Sequence, residues 1–159
     1  MDDGIKVERK VELYEHQTVS LQEIQKRRDA GIKAFLIVLP TAAGKSKIVE
    51  EDLRTFAEGK QKFRGLILVP GVNLLLDWEE RIKASLPELK DKIDIRTYAF
   101  AARHYTDTTP DYYNYLIVDE AHHAVAPVLK RVVQYYRTAF TIGLTATDQR
   151  PDKRKLETV

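Results

Sequence analysis

The chain has 159 residues, 43% hydrophobic and 31% charged, with 26 Lys and Arg set against 24 Asp and Glu. That is one globular domain able to bury a core, and a net charge of +2 is as ordinary for a solvated surface as for a weakly basic nucleic-acid binder. With no cysteine, disulfides and thiolate metal sites are excluded; no apolar run nears the roughly 18 residues of a membrane span, and the charged start Met1 to Lys10 is unlike a signal peptide. A cytoplasmic protein with no membrane partner is the expectation.

In chain order, residues 1–12 are polar and read as an N-terminal extension. From Leu13 the spacing turns helical, with Leu13, Gln17, Leu21, Ile24 and Arg28 on one face and Gly31 as the C-cap. Ala34 to Leu39 is an uninterrupted apolar run, the pattern of a strand buried on both faces. It leads through Pro40-Thr41-Ala42-Ala43-Gly44-Lys45-Ser46 into a helix with Ile48, Val49 and Leu53 on its apolar side and Glu50, Glu51 and Asp52 among its polar residues, ending near Ala57.

Strand, small-residue turn and a helix opening on Lys-Ser is the arrangement of a phosphate-binding loop. Small residues let the backbone N–H groups of 42–46 curl around a polyphosphate, and the helix adds its unpaired N–H groups and the positive end of its dipole. Lys45 supplies a mobile charge for terminal phosphates, and the Ser46 hydroxyl can join the shell of Mg²⁺. The pattern is incomplete, since Leu39 stands where its first glycine belongs, and the bland alternative is a Gly-Lys-Ser helix start with no ligand.

Further on, Gly65 to Pro70 reads as a second buried strand, and a helix from about Asn73 to Leu86 carries Leu74, Leu75, Trp78, Ile82 and Leu86 on its apolar face. Trp78 reads as core, not as a base-stacking platform. Ile93 to Tyr98 alternates as a third strand, Ala99 to Tyr105 as a short helix, and Thr106 to Asp111 as a loop. Tyr115 to Asp119 is a fourth strand, Pro127 opens a helix, and Phe140 to Leu144 is a fifth strand followed by Thr145-Ala146-Thr147. Strands alternating with helices predict an α/β domain with a mostly parallel sheet of at least five strands between two helical layers, whose ligands bind at the strands' carboxyl edge. Lys45, Pro70, Tyr98, Asp119 and Thr145 would all line that rim.

A bound nucleotide with Mg²⁺ needs a carboxylate beside Ser46, and hydrolysis needs a group that orients water. Asp119 ends an apolar strand and could hold the metal, mostly through water, while Glu120 could accept a proton from the attacking water. A plain strand-to-helix turn is the alternative. His122 and His123, being adjacent, do not easily face one ion, and His16 and His104 are isolated.

Together these residues resemble the first RecA-like motor domain of a superfamily 2 helicase or translocase of the DEAH type, most similar to the branch holding the motor subunits of type I and type III restriction enzymes and related repair and phage helicases. Leu13-Tyr14-Glu15-His16-Gln17 is similar to the adenine-reading element, Leu39 to Ser46 to motif I, and Leu66 to Gly71 with Leu74, Leu75 and Trp78 to motif Ia. Asp119 to Ala124 is similar to motif II, and Gly143-Leu144-Thr145-Ala146-Thr147, with Arg150 and Asp152, to motif III. The resemblance implies a three-layer P-loop NTPase fold over residues 13–152, with 153–159 a tail. It implies an ATP hydrolase, with ATP and Mg²⁺ as cofactors. Gln17 would read adenine; Thr41, Ala42, Ala43, Gly44, Lys45 and Ser46 would bind ATP; Ser46 and Asp119 would hold the metal. Lys45, Asp119 and Glu120 would be catalytic. His122, Thr145, Ala146 and Thr147 would couple the ATP site to the nucleic-acid site, and Pro70, Gly71, Val72, Thr97 and Tyr98 would face a tracked strand, DNA ahead of RNA. The Thr145 strand would lie between the Lys45 and Asp119 strands.

Three departures stand out: Ala42 for a glycine, Gly71 for the usual threonine of motif Ia, and Asp148 for a proline. Motors of this kind close ATP against a second RecA-like domain, and nothing after motif III matches one. The expectation is therefore a domain or fragment that binds ATP weakly and hydrolyses it poorly, joined in the full-length protein by that second domain and in some members by a nuclease domain or subunit. A stand-alone P-loop switch and a nucleotide-free interaction module derived from a motor domain are the other readings; the first leaves the Gln17 and Thr145 elements unused, and intact Lys45, Asp119 and Glu120 argue against the second.

Overall fold

The computed structural model describes residues 15–39, 45–121 and 127–146. The expected extension at 1–12, the loop residues Thr41, Ala42, Ala43 and Gly44, His122 and His123, Thr147 and the tail lie outside the described residues, as do the side chains of Gln17, Lys45 and Ala146.

Apolar runs become strands and amphipathic stretches become helices, in alternation. The elements are α1 (Glu15–Asp29), β1 (Ala34–Leu39), α2 (Lys45–Ala57), β2 (Gly65–Val69), α3 (Val72–Ser85), β3 (Ile93–Thr97), α4 (Tyr98–His104), β4 (Tyr115–Asp119), α5 (Pro127–Tyr135) and β5 (Phe140–Ala146), with short 3₁₀ turns at Pro87–Lys92 and Tyr105–Asp107. Gly31, at φ 92°, takes the left-handed position that closes α1, with Ile32 N–H donating to the Arg27 carbonyl in a Schellman-type cap.

The five strands are all parallel, in the order β1-β5-β4-β2-β3. Strand β5, the last of the described strands, inserts between β1 and β4, as the family resemblance implied. Successive residues point to opposite faces, so each strand feeds two cores. On one face Ile37, Ile67, Ile117 and Ile142 pack with Ile24, Ile48, Leu53, Trp78 and Ile82 from α1, α2 and α3. On the other, Leu66, Leu68, Leu116 and Val118 pack with Ala101 of α4 and Leu129 and Val132 of α5. The three layers are those expected.

Two of the boundaries that differ from the sequence reading have a visible cause. Strand β5 runs through Thr145 to Ala146, because β1 offers Val38 and Leu39 as partners for those two residues. Strand β3 stops at Thr97, whose hydroxyl accepts from Phe100 N–H at 3.1 Å and so caps α4, making Tyr98 the first residue of a helix. The polar side of α2 also differs: Glu50 and Asp52 are buried, 2% and 3% exposed. Each has a cation from a neighbouring helix, Arg81 at 2.9 Å and Arg28 at 2.5 Å. Arg28 sits on the inward face of α1, its guanidinium 4.3 Å from the Phe140 ring centroid.

Candidate nucleotide site at the carboxyl edge of the sheet

Strand β4 delivers Asp119 to the carboxyl edge. The side chain is 4% exposed, and each carboxylate oxygen accepts one N–H. Oδ1 accepts from the Glu120 backbone at 2.9 Å. Oδ2 accepts from the indole Nε1–H of Trp78 at 2.8 Å. Such bonds to a carboxylate fix its rotamer. Trp78 lies within α3 and is 2% exposed, so the core reading of its ring holds. What that reading missed is the polar edge: a buried tryptophan needs an acceptor, and here the acceptor is the acid of the Asp-Glu pair.

The backbone after Asp119 is held from the opposite face. Glu120 has φ 54°, the left-handed region that a residue with a Cβ rarely enters. The Tyr98 hydroxyl, at the start of α4, donates to the Asp119 carbonyl and lies 3.0 Å from that of Glu120. Burial, then the nearby Asp119 and Glu120 charges, pushes the Tyr98 pKa well up, so the phenol remains a donor. The helices after β2 and β3 therefore each send one aromatic to the end of β4, one to the carboxylate and one to the peptide groups.

Helix α2 opens at Lys45, following β1, and Ser46 is half-buried. Because β1, β5 and β4 are parallel neighbours, the start of α2 and Asp119 lie at the same sheet edge. Thr145, 3% exposed, lies on the intervening strand beside Val38, one residue beyond the Asp119 pairing with Leu144. Helix α3 ties the two sides together: Arg81 donates to Glu50 of α2 at 2.9 Å and stands 6.0 Å from the Trp78 ring. Glu50 and Arg81 have no motif signal in the sequence.

The remaining rim residues divide. Pro70 and Val72 are exposed, Val72 at 62%, and Gly71 is the extended N-cap of α3 with open space around it. Thr97 and Tyr98 have their hydroxyls committed within the chain, to the α4 cap and to the Asp119-Glu120 carbonyls. His104 is on the surface, 3.1 Å from Asp107.

The donor set suits magnesium. Each Asp119 oxygen keeps a lone pair beyond its N–H bond, and the Ser46 hydroxyl is a second hard donor. No cluster of three or more His, Asp or Glu that could cage a metal occurs among the described residues. No helix among the described residues is long and apolar enough to cross a membrane.

The family model described as type III restriction enzyme, res subunit, matches residues 10–150. The chain is 30% identical over 156 residues to the DNA 3'-5' translocase XPB2 of Sulfurisphaera tokodaii, an alignment covering 90% of this chain and 32% of that protein. It thus spans about a third of that relative's length. Among solved structures it is similar to the Sulfolobus solfataricus SWI2/SNF2 ATPase core in complex with dsDNA, with TM-score 0.70, 21% identity and coverage of 87% of this chain and 32% of that one. The Pyrococcus furiosus Hef helicase domain gives TM-score 0.64 at 20% identity, covering 86% of this chain and 34% of that one. At such identities the structures speak to the fold, and the family model speaks to kinship: this chain belongs to the family of the type III restriction enzyme res subunit, as a RecA-like domain of the superfamily 2 helicase kind.

Proposed function

We propose that this chain is the ATP-binding motor domain of a DEAH-type helicase or translocase, spanning residues 13–152, that works with a second RecA-like domain in the full-length protein. The observation that carries the reading is Asp119, buried at the end of β4 with both oxygens oriented, one strand removed from the β1–α2 connection. A carboxylate fixed there has an evident use if a cation is bound beside it.

The N–H groups of Thr41 to Ser46 receive the phosphates, Lys45 pairs with their terminal charge, and Gln17 reads the adenine. Ser46 and Asp119 would hold Mg²⁺, which when bound would neutralise charge on the terminal phosphates. Glu120 orients and deprotonates the attacking water. Thr145, central in the sheet, couples with His122, Ala146 and Thr147 to the nucleic-acid face, where Pro70, Gly71 and Val72 contact the strand. Thr97 and Tyr98 support that face through the α4 cap and the Asp119-Glu120 turn. The names of the XPB2 relative and of the SWI2/SNF2 complex support DNA over RNA. The family match supports a restriction-type setting, and a nuclease partner and a cytoplasmic location are proposed with it. Arginine fingers from a second RecA-like domain would be worth about 10³ to 10⁵ in rate.

Equilibrium binding of a fluorescent ATP analogue with and without Mg²⁺ tests the reading. Lys45→Ala should abolish binding, and Asp119→Asn should remove its Mg²⁺ dependence while leaving weak metal-free binding. Equal binding by wild type and Lys45→Ala would overturn it.

A further inference from the structure

We propose that Trp78 is a positioning residue for Asp119: its indole N–H fixes the carboxylate that receives magnesium and so sets the Mg²⁺ dependence of nucleotide binding. This rests on the nucleotide reading above and adds to it a residue that touches neither metal nor phosphate.

The geometry makes the contact more than a satisfied core tryptophan. Trp78 and Asp119 are 2% and 4% exposed, so little water competes for the 2.8 Å bond. A carboxylate ending a strand can rotate about its side-chain bonds. The Glu120 N–H holds Oδ1 from within the same turn, and Trp78 holds Oδ2 from another element. The indole itself cannot drift, because it packs in the core beside Ile82 and Leu86 under Arg81. Without the indole N–H, Oδ2 is a buried charged acceptor lacking its donor, and the carboxylate can turn away from the metal position. Partners of this kind, hydrogen-bonded to metal-holding groups, are typically worth roughly 10- to 100-fold in metal affinity.

The test uses the full chain with a fluorescent ATP analogue titrated with MgCl₂. Two variants remove the donor: Trp78→Phe, and replacement of Trp78 by 3-benzothienylalanine, which keeps the bicyclic shape and exchanges N–H for sulfur. Trp78 is the single tryptophan of the chain, so the analogue enters at one place. The expected result is a rise of roughly 10- to 100-fold in the Mg²⁺ concentration for half-maximal tightening, with metal-free nucleotide affinity unchanged. An unshifted Mg²⁺ midpoint in the benzothienyl variant overturns the inference, whatever happens to stability. Failure of the nucleotide reading itself is seen earlier and separately, as wild type showing no Mg²⁺-dependent binding, and the inference falls with it. Wild-type tryptophan emission supplies an independent check. It should shift with Mg²⁺ only when nucleotide is present; a titration that leaves it unmoved counts against contact between the metal-bound state and the indole.

Discussion

Trp78 donates its indole N–H to Asp119 across 41 residues of sequence, joining the interior of α3 to the last residue of β4. The same helix begins at the exposed Val72 and carries Arg81, which reaches Glu50 on α2. One rigid element thus touches the sheet rim, the acid and the helix that opens at Lys45. Hypotheses about how the rim and the acid communicate start with α3.

At the opposite end of the sheet, Asp52 holds Arg28 and the Tyr115 hydroxyl on one oxygen, each at 2.5 Å. The Nε of Arg28 is buried with no hydrogen-bond partner among the described residues, and its guanidinium instead covers Phe140. Breaking a buried pair leaves an uncompensated charge. Asp52→Ala should therefore destabilise the chain by about 3–5 kcal/mol in urea unfolding. The triple replacement Arg28→Met, Asp52→Leu and Tyr115→Phe should recover most of that loss, because it removes every polar group of the cluster together. A triple variant no more stable than Asp52→Ala would show that the network is worth more than its apolar substitute.

The cap of α3 is improvable. Gly71 is extended, at φ −159°, makes no side-chain cap bond, and has nothing within 4 Å of an added Cβ. Serine fits that conformation and can accept from the N–H groups of the first turn. Gly71→Ser should raise stability by a few tenths of a kcal/mol, read as a higher urea midpoint at unchanged slope. A lowered midpoint would mean that the space is used by something else.

Stability should fall in alkali. Burial is the leading cause that raises the pKa of Tyr98, Tyr113, Tyr115 and Tyr136, with nearby carboxylates adding to it in each case. The folded values thus lie above the unfolded value of about 10. The contribution of these groups is whole below that pH and is lost as pH rises through it, because the unfolded chain releases its protons first. Chemical denaturation as a function of pH should show this decline, with part of the phenolate absorbance appearing only with unfolding. The slope should be shallower in Tyr98→Phe. Titration of all eight tyrosines near pH 10 in a chain that stays folded would refute it.

Much of the fold is legible in the residues taken one stretch at a time. Ala34–Leu39 and Tyr115–Asp119 form strands with the bounds their apolar runs mark, because polar or small residues punctuate both ends. The Gly-Lys-Ser start of α2 and the acid ending β4 are local patterns too, and parallel pairing brings them to one edge. Less legible were the charges. Glu50 and Asp52 look solvent-facing beside Lys47 and Glu51, and Arg28 looks misplaced on an apolar face, until two helices pack and each charge meets its opposite.

Periodicity in the chain was enough to set the strands, the helices, their alternation and the rim on which the chemistry collects, since each depends on neighbours within a turn or a pleat. Which atoms hold the acid depended on folding. Hydropathy counts an indole as apolar and a phenol as half so, and says nothing of where their N–H and O–H end. Trp78 and Tyr98 found the end of β4 only because parallel strands carried two distant helices to it, and once water was excluded there those donors had to be matched with acceptors.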